Sequence, residues 1–124
     1  MNREELVRQI FRKKSYLCVG LDPDPAKMPE FFFDYKMPLF EFNKAIIEAT
    51  HDLAVAYKPN FAFYESMGLK GMKSLKQTLV FLKKYYPEIL VIADAKRGDI
   101  GNTSAMYARE MFVTYNCEIG RAHV

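Results

Sequence analysis

Three short apolar runs punctuate the chain: "SYLCVGLD", "AVAYKPN" and "EILVIADAK". Each is too short for a helix and rich in β-branched or aromatic residues, so each is expected to be a strand. The first stops at "DPDP" and the second at Pro59, because proline cannot continue a strand ladder. Between them the hydrophobic period changes to that of a helix. Phe42, Ile46 and Ala49 recur after Pro38, a good first helical residue, and Met72, Leu75, Leu79 and Leu82 share one face before Pro87. Asn2 and Glu5 form a capping pair ahead of Leu6, Val7, Ile10 and Phe11, which predicts a short leading helix. A last helix is expected from about Thr103 through "SAMYAREMF", with Thr103 capping its exposed amides. The Pro-punctuated, aromatic stretch to Pro38 reads as an ordered excursion over an opening.

Near-continuous apolar strands alternating with amphipathic helices specify a parallel sheet covered by helices on its outer face, joined by right-handed crossovers. The pattern alone fits an open three-layer sheet or part of a (β/α)8 barrel. A barrel of that type takes about 250 residues. The 124 residues of this chain would supply only the first three of its eight units.

Composition narrows the class. Half of the residues are hydrophobic, as in a globular chain with one modest core. No apolar run approaches the roughly 20 residues needed to span a bilayer. The net charge of +3 is spread along the chain, which argues against a nucleic-acid partner. Cys18 and Cys117 are unpatterned and expected to be free thiols of a cytoplasmic protein.

The candidate chemistry sits where the strands end. Side chains alternate faces along a strand, so Asp94 and Lys96 point the same way, as do Lys58 and Asn60 on the second strand, while Asp22 ends the first. In parallel α/β folds ligands sit at these carboxyl ends. Any one polar strand end is explained by a wet loop; four charged ones together are not. A chance DxKxxD match in a chain this long occurs about once in forty. Alternating lysines and carboxylates in a partly dry cavity keep one another ionised, whereas a lone buried charge would neutralise.

Other motifs carry less. "RGD" at Arg97 to Asp99 lacks the export signals of an adhesion motif, His51 has no partner at metal-ligand spacing, and Gly98 with Gly101 is too weak a pattern to assign phosphate binding.

At "ADAKRGDIGNT" the sequence resembles orotidine 5'-phosphate decarboxylase: a strand-ending Asp, Lys two later and Asp-Ile three further on. "CVGLDPD" resembles the family's first strand, and "FEFNKAIIEATHDLAVAYKPNFAFYE" the second helix-strand unit of its bacterial branch with a long first loop. The resemblance implies a (β/α)8 TIM barrel, a homodimer with active sites at the subunit boundary, and decarboxylation of orotidine 5'-phosphate to UMP without metal or organic cofactor. It makes Lys96 the proton donor to C6, Asp94 the carboxylate beside the departing CO2, and Lys58 the lysine completing the network. Asp22 and Asn60 then contact substrate, while Asp99 reaches the partner's site with Ile100 and Thr103 on the shared wall.

The chain departs from that pattern at its end. After "TYNCE" a fourth apolar strand is expected, but "IGRAHV" follows, matching one reading frame of a common sequencing adapter. Residues 1–118 are therefore expected to be the N-terminal part of one barrel domain and 119–124 a non-native read-through tail, leaving an unpaired strand-three edge, a tendency to self-associate and no activity. The alternatives are a sugar-phosphate decarboxylase or synthase of the same superfamily, with a metal-dependent enolate, and a non-catalytic nucleotide-binding half-barrel.

Overall fold

All strands run parallel, in the order β1-β2-β3-β4, in the computed structural model, which describes residues 1–121. They are β1 (Leu17–Leu21), β2 (Ala54–Pro59), β3 (Leu90–Asp94) and β4 (Ile119–Arg121). The helices are α1 (Arg3–Lys13), α2 (Pro38–Thr50), α3 (Phe61–Glu65), α4 (Gly68–Tyr85) and α5 (Gly101–Arg109). A 3-10 helix, Glu30–Asp34, orders the first long connection, and a π-helical turn, Glu110–Thr114, continues α5. The strand-helix alternation read from the sequence is the observed one.

Local chemistry explains the boundaries. The Asn2 and Glu5 side chains each accept the other's backbone N–H. Lys14 closes α1 in the left-handed region at φ 52°. Lys13 Nζ then donates to the carbonyls of His51 and Ala54, both at 2.7 Å, tying α1 to the passage from α2 into β2. Pro38 opens α2, where its missing N–H costs nothing.

The core lies between the sheet and the helix layer. Leu21, Tyr57, Val91 and Ala93 from the strands meet Ile47 of α2, Phe61 and Tyr64 of α3, and Leu75, Leu79 and Leu82 of α4. Burying each large apolar side chain contributes about 1.5–3 kcal/mol. Gly71 lets α4 approach α3, since a Cβ there would overlap the Tyr64 carbonyl oxygen. Through this core runs a polar thread. Tyr64 Oη donates to the Leu21 carbonyl at 2.7 Å and accepts from Asn43 Nδ2 at 2.9 Å, while Asn43 Nδ2 also reaches Thr78 Oγ1 at 3.1 Å. Burial pushes the Tyr64 hydroxyl well above the usual phenol range, against the hydrogen bond from Asn43, so it stays a donor to β1.

Two expectations are corrected. Thr103 does not cap the last helix: α5 starts at Gly101, with Ile100 at the N-cap and no side-chain cap, which puts Thr103 inside its first turn. Gly101 allows the earlier start because its φ is positive, a region open to glycine. The edge of β3 is not left open, since Ile119–Arg121 pairs with Ile92–Asp94. The turn α3 is an addition to the expected elements, and Asn60 initiates it by accepting the Ala62 N–H at 3.3 Å. Of the expected tail, residues 122–124 lie outside the described residues. No helix among the described residues is long and apolar enough to cross a membrane.

Candidate active site

Sheet register sets the site. Gly20 lies opposite Lys58 and Asp94 opposite Arg121, and a bridge joins Asn60 to Asp94, so the tips of all the strands are level. The positions that share the face turned away from the helices include Cys18, Gly20, Lys58, Asp94 and Arg121. This face is open at β1, where Cys18 and Gly20 are exposed.

Asp94 is the centre. Its side chain is only 5% exposed, and Oδ2 receives Lys96 Nζ at 2.8 Å and Lys58 Nζ at 3.2 Å. Arg121 Nη1 takes the other oxygen, Oδ1, at 2.7 Å. Burial by itself raises the Asp94 carboxyl, but the hydrogen bonds from Lys96, Arg121 and Lys58 outweigh it and hold the group well below the usual carboxylate range. Lys96 Nζ also reaches Asn60 Oδ1 at 3.3 Å, and the Asn60 backbone N–H donates to Asp22 Oδ1 at 3.3 Å. Asp22, Lys58, Asn60, Asp94 and Lys96, taken from three strand ends, thus form one connected network.

The remaining candidates lie elsewhere. Asp99 accepts the N–H of Ile100 at 2.7 Å and makes no ion pair among the described residues; Ile100 is 86% exposed and Thr103 is exposed. Asp99 and Ile100 line a cavity of about 560 Å³ between the 95–100 segment, α5 and β4, whose lining includes Arg97 and Tyr107 but neither Asp94 nor the two lysines. Among the described residues no group of three or more His, Cys, Asp and Glu is placed to hold a metal ion. Sequence reasoning missed Arg121, although the strand parity that picked out Asp94 finds it once Ile119–Arg121 is read as a strand. It also missed Tyr64 and Asn43, whose only signal was polar residues at apolar-face positions.

An Asp held between two lysines at the tips of adjacent parallel strands is a reactive arrangement: an ionised carboxylate beside an ammonium that can stabilise and protonate a carbanion. Known proteins are similar to this chain over most of its length. It is 57% identical over 116 residues to orotidine 5'-phosphate decarboxylase of Flavobacterium johnsoniae, covering 94% of this chain and 42% of that protein. With the Bacteroides fragilis enzyme of the same name it shares 58% over 112 residues, 90% of this chain and 41% of the other. The structure of Leishmania donovani OMP decarboxylase superposes with a TM-score of 0.77 at 36% identity, over 96% of this chain and 42% of that one. The chain therefore spans about two-fifths of the length of these relatives, and its sheet is part of the barrel of their fold. Residues 15–123 match the family profile itself, and the chain belongs to the Orotidine 5'-phosphate decarboxylase / HUMPS family.

Proposed function

We propose that this chain carries the charge array of an orotidine 5'-phosphate decarboxylase, a cytoplasmic, homodimeric enzyme that converts orotidine 5'-phosphate to UMP without a cofactor. The observation that supports this reading most is the sharing of one Asp94 oxygen by Lys58 and Lys96. Loss of CO2 leaves a carbanion at C6 of a ring that delocalises it poorly. A cation held at that carbon stabilises charge as it forms and then delivers a proton, and Lys96 is assigned both duties. Asp94 is assigned the place beside the substrate carboxylate. Two like charges about 4 Å apart repel by ~4 kcal/mol at an effective dielectric near 20, about three decades in rate if relieved in the transition state. The rest of the acceleration is assigned to the preorganised lysines and to binding energy from the remote phosphate.

Asp22 is assigned to the ribose and Asn60 to a further substrate contact; Asn60 links Asp22 to the reacting pair, its N–H donating to Asp22 Oδ1 and its Oδ1 accepting from Lys96 Nζ. Asp99, which is exposed and lines the cavity that Asp94 does not reach, is assigned with Ile100 and Thr103 to the partner subunit's site. Arg121 lies in the 119–124 segment proposed to be non-native and is given no catalytic role. Genomic sequence encoding "IGRAHV" would remove that objection.

The test is a chimera in which residues 1–118 replace the matching portion of the Flavobacterium johnsoniae relative. Decarboxylation of orotidine 5'-phosphate that survives EDTA supports the assignment. Activity confined to a sugar phosphate and restored by magnesium overturns it in favour of a metal-dependent member of the superfamily, and UMP binding without turnover points to a non-catalytic role.

A further inference from the structure

Arg97 follows Lys96 directly, but its side chain turns the other way, into the helix layer. Its guanidinium carbon lies 5.7 Å from the ring centroid of Phe61 and 5.8 Å from that of Tyr107. Nη2 pairs with Glu65, and Nε is 3.5 Å from Glu110 Oε2. Phe61 and Glu65 belong to α3, while Tyr107 and Glu110 belong to α5 and the turn that continues it. A lone exposed ion pair contributes little. Here one planar cation meets two ring faces and two carboxylates at once, and its side chain is only 21% exposed. Its position is fixed in a way that a flexible surface pair is not.

The backbone beside it is unusual. Lys96 has φ 55°. A residue with a side chain keeps that left-handed conformation only where its surroundings hold it. The two lysines that meet on Asp94 come from different strands, and α3 starts immediately after Asn60, two residues beyond Lys58. A brace from residue 97 to α3 therefore joins the two lysine-bearing segments on the outer side, as Asp94 joins them on the inner side.

We propose that Arg97 is a positioning residue: its clamp between α3 and the α5 end fixes the Lys96–Arg97 peptide, delivering Lys96 Nζ to Asp94 and Asn60 while carrying Asp99 on the far side. This rests on the reading of Lys96 and Asp94 as the reacting pair. A misplacement of about 1 Å at a reacting group costs on the order of 100-fold in rate. In the active chimera, Arg97→Ala is expected to lower kcat by about that factor with KM for orotidine 5'-phosphate changed less than about threefold. Arg97→Lys, which keeps the charge but not the planar fork, recovers little of it.

A second readout needs no turnover. In the chain itself, loss of the clamp releases Lys96 from Asp94, so the Asp94 carboxyl, followed by carbon NMR, titrates at higher pH in Arg97→Ala, in the direction set by Lys96→Ala. Should Arg97→Ala not fold, Glu65→Gln removes one arm of the clamp and is expected to move the same midpoint in the same direction, by less. An unmoved Asp94 midpoint in a folded variant, or a chimera whose kcat survives Arg97→Ala, overturns the proposal. A chimera that fails with Arg97 intact defeats the functional reading instead and leaves the NMR result to decide the role of Arg97.

Discussion

Lys96 Nζ lies 2.8 Å from Asp94 Oδ2, although the two residues are separated by a single alanine and Lys96 sits beyond the end of its strand. The contact closes because the backbone of Lys96 turns left-handed there, which brings its ammonium back over the strand tip. Lys58 reaches the same oxygen from the neighbouring strand, so the carboxylate serves as the point on which both ammonium groups converge.

Acid should loosen this joint first. The folded chain holds Asp94 below its ordinary value of 3.8. The folded state therefore binds fewer protons there than the unfolded state. The stability this group contributes is whole above that value and is lost as pH falls from it toward the folded-state midpoint. Asp94→Asn should therefore melt lower than the parent chain near neutral pH, with Lys58, Lys96 and Arg121 left facing one another, and the gap should narrow below about pH 4. Thermal melts of both proteins across that range check it; a gap that widens in acid contradicts the assignment.

The polar thread in the core gives a second outcome. Tyr64→Phe leaves the Leu21 carbonyl and the Asn43 amide short of a partner while preserving shape. Stranding such buried groups costs about 1–3 kcal/mol, so the variant should unfold at lower denaturant with an unchanged m-value.

Much of this was legible beforehand, for identifiable reasons. Strand periodicity and proline stops located β1, β2 and β3, and strand parity put Lys58 and Asp94 on one face, which the parallel register preserves. Lys96 lies past the end of β3 with a left-handed backbone, so strand parity does not carry its meeting with Asp94. The sequence misled where the backbone leaves the regular elements. Gly101 starts α5 two residues before Thr103, and a left-handed Asn116 precedes β4 after Tyr115, features that no hydrophobic pattern encodes. The clamp of Arg97 was hidden too, since its partners Phe61, Glu65, Tyr107 and Glu110 are brought together only by packing.

Gly71→Ala tests the α3–α4 contact. On an isolated helix the change is worth about 1 kcal/mol in favour of alanine. Here the added Cβ meets the Tyr64 carbonyl, a backbone atom that has little room to yield. Overpacking of this kind costs about 1–3 kcal/mol or more. Net destabilisation is expected in a denaturant titration; a more stable variant would show that the helices are not in this contact.

The two thiols should differ in reactivity. Cys117 is buried, and that burial pushes its thiol up to about 11. Such a group carries roughly two decades less thiolate than an ordinary one near neutral pH. Cys18 is exposed on the open face of the sheet. Timed alkylation of the native chain followed by mass spectrometry should label Cys18 first; equal rates would mean that the core around Cys117 opens readily.

Lys96, held on Asp94, is assigned as the group that stabilises and protonates the carbanion, and every other functional assignment depends on it. The measurement that reaches it most closely is the single-turnover rate of orotidine 5'-phosphate decarboxylation by the chimera bearing residues 1–118, with and without Lys96→Ala. A loss of about 10⁴-fold is expected on removing the ammonium, with substrate still bound. A Lys96→Ala chimera that turns over within about tenfold of its parent would exclude that role.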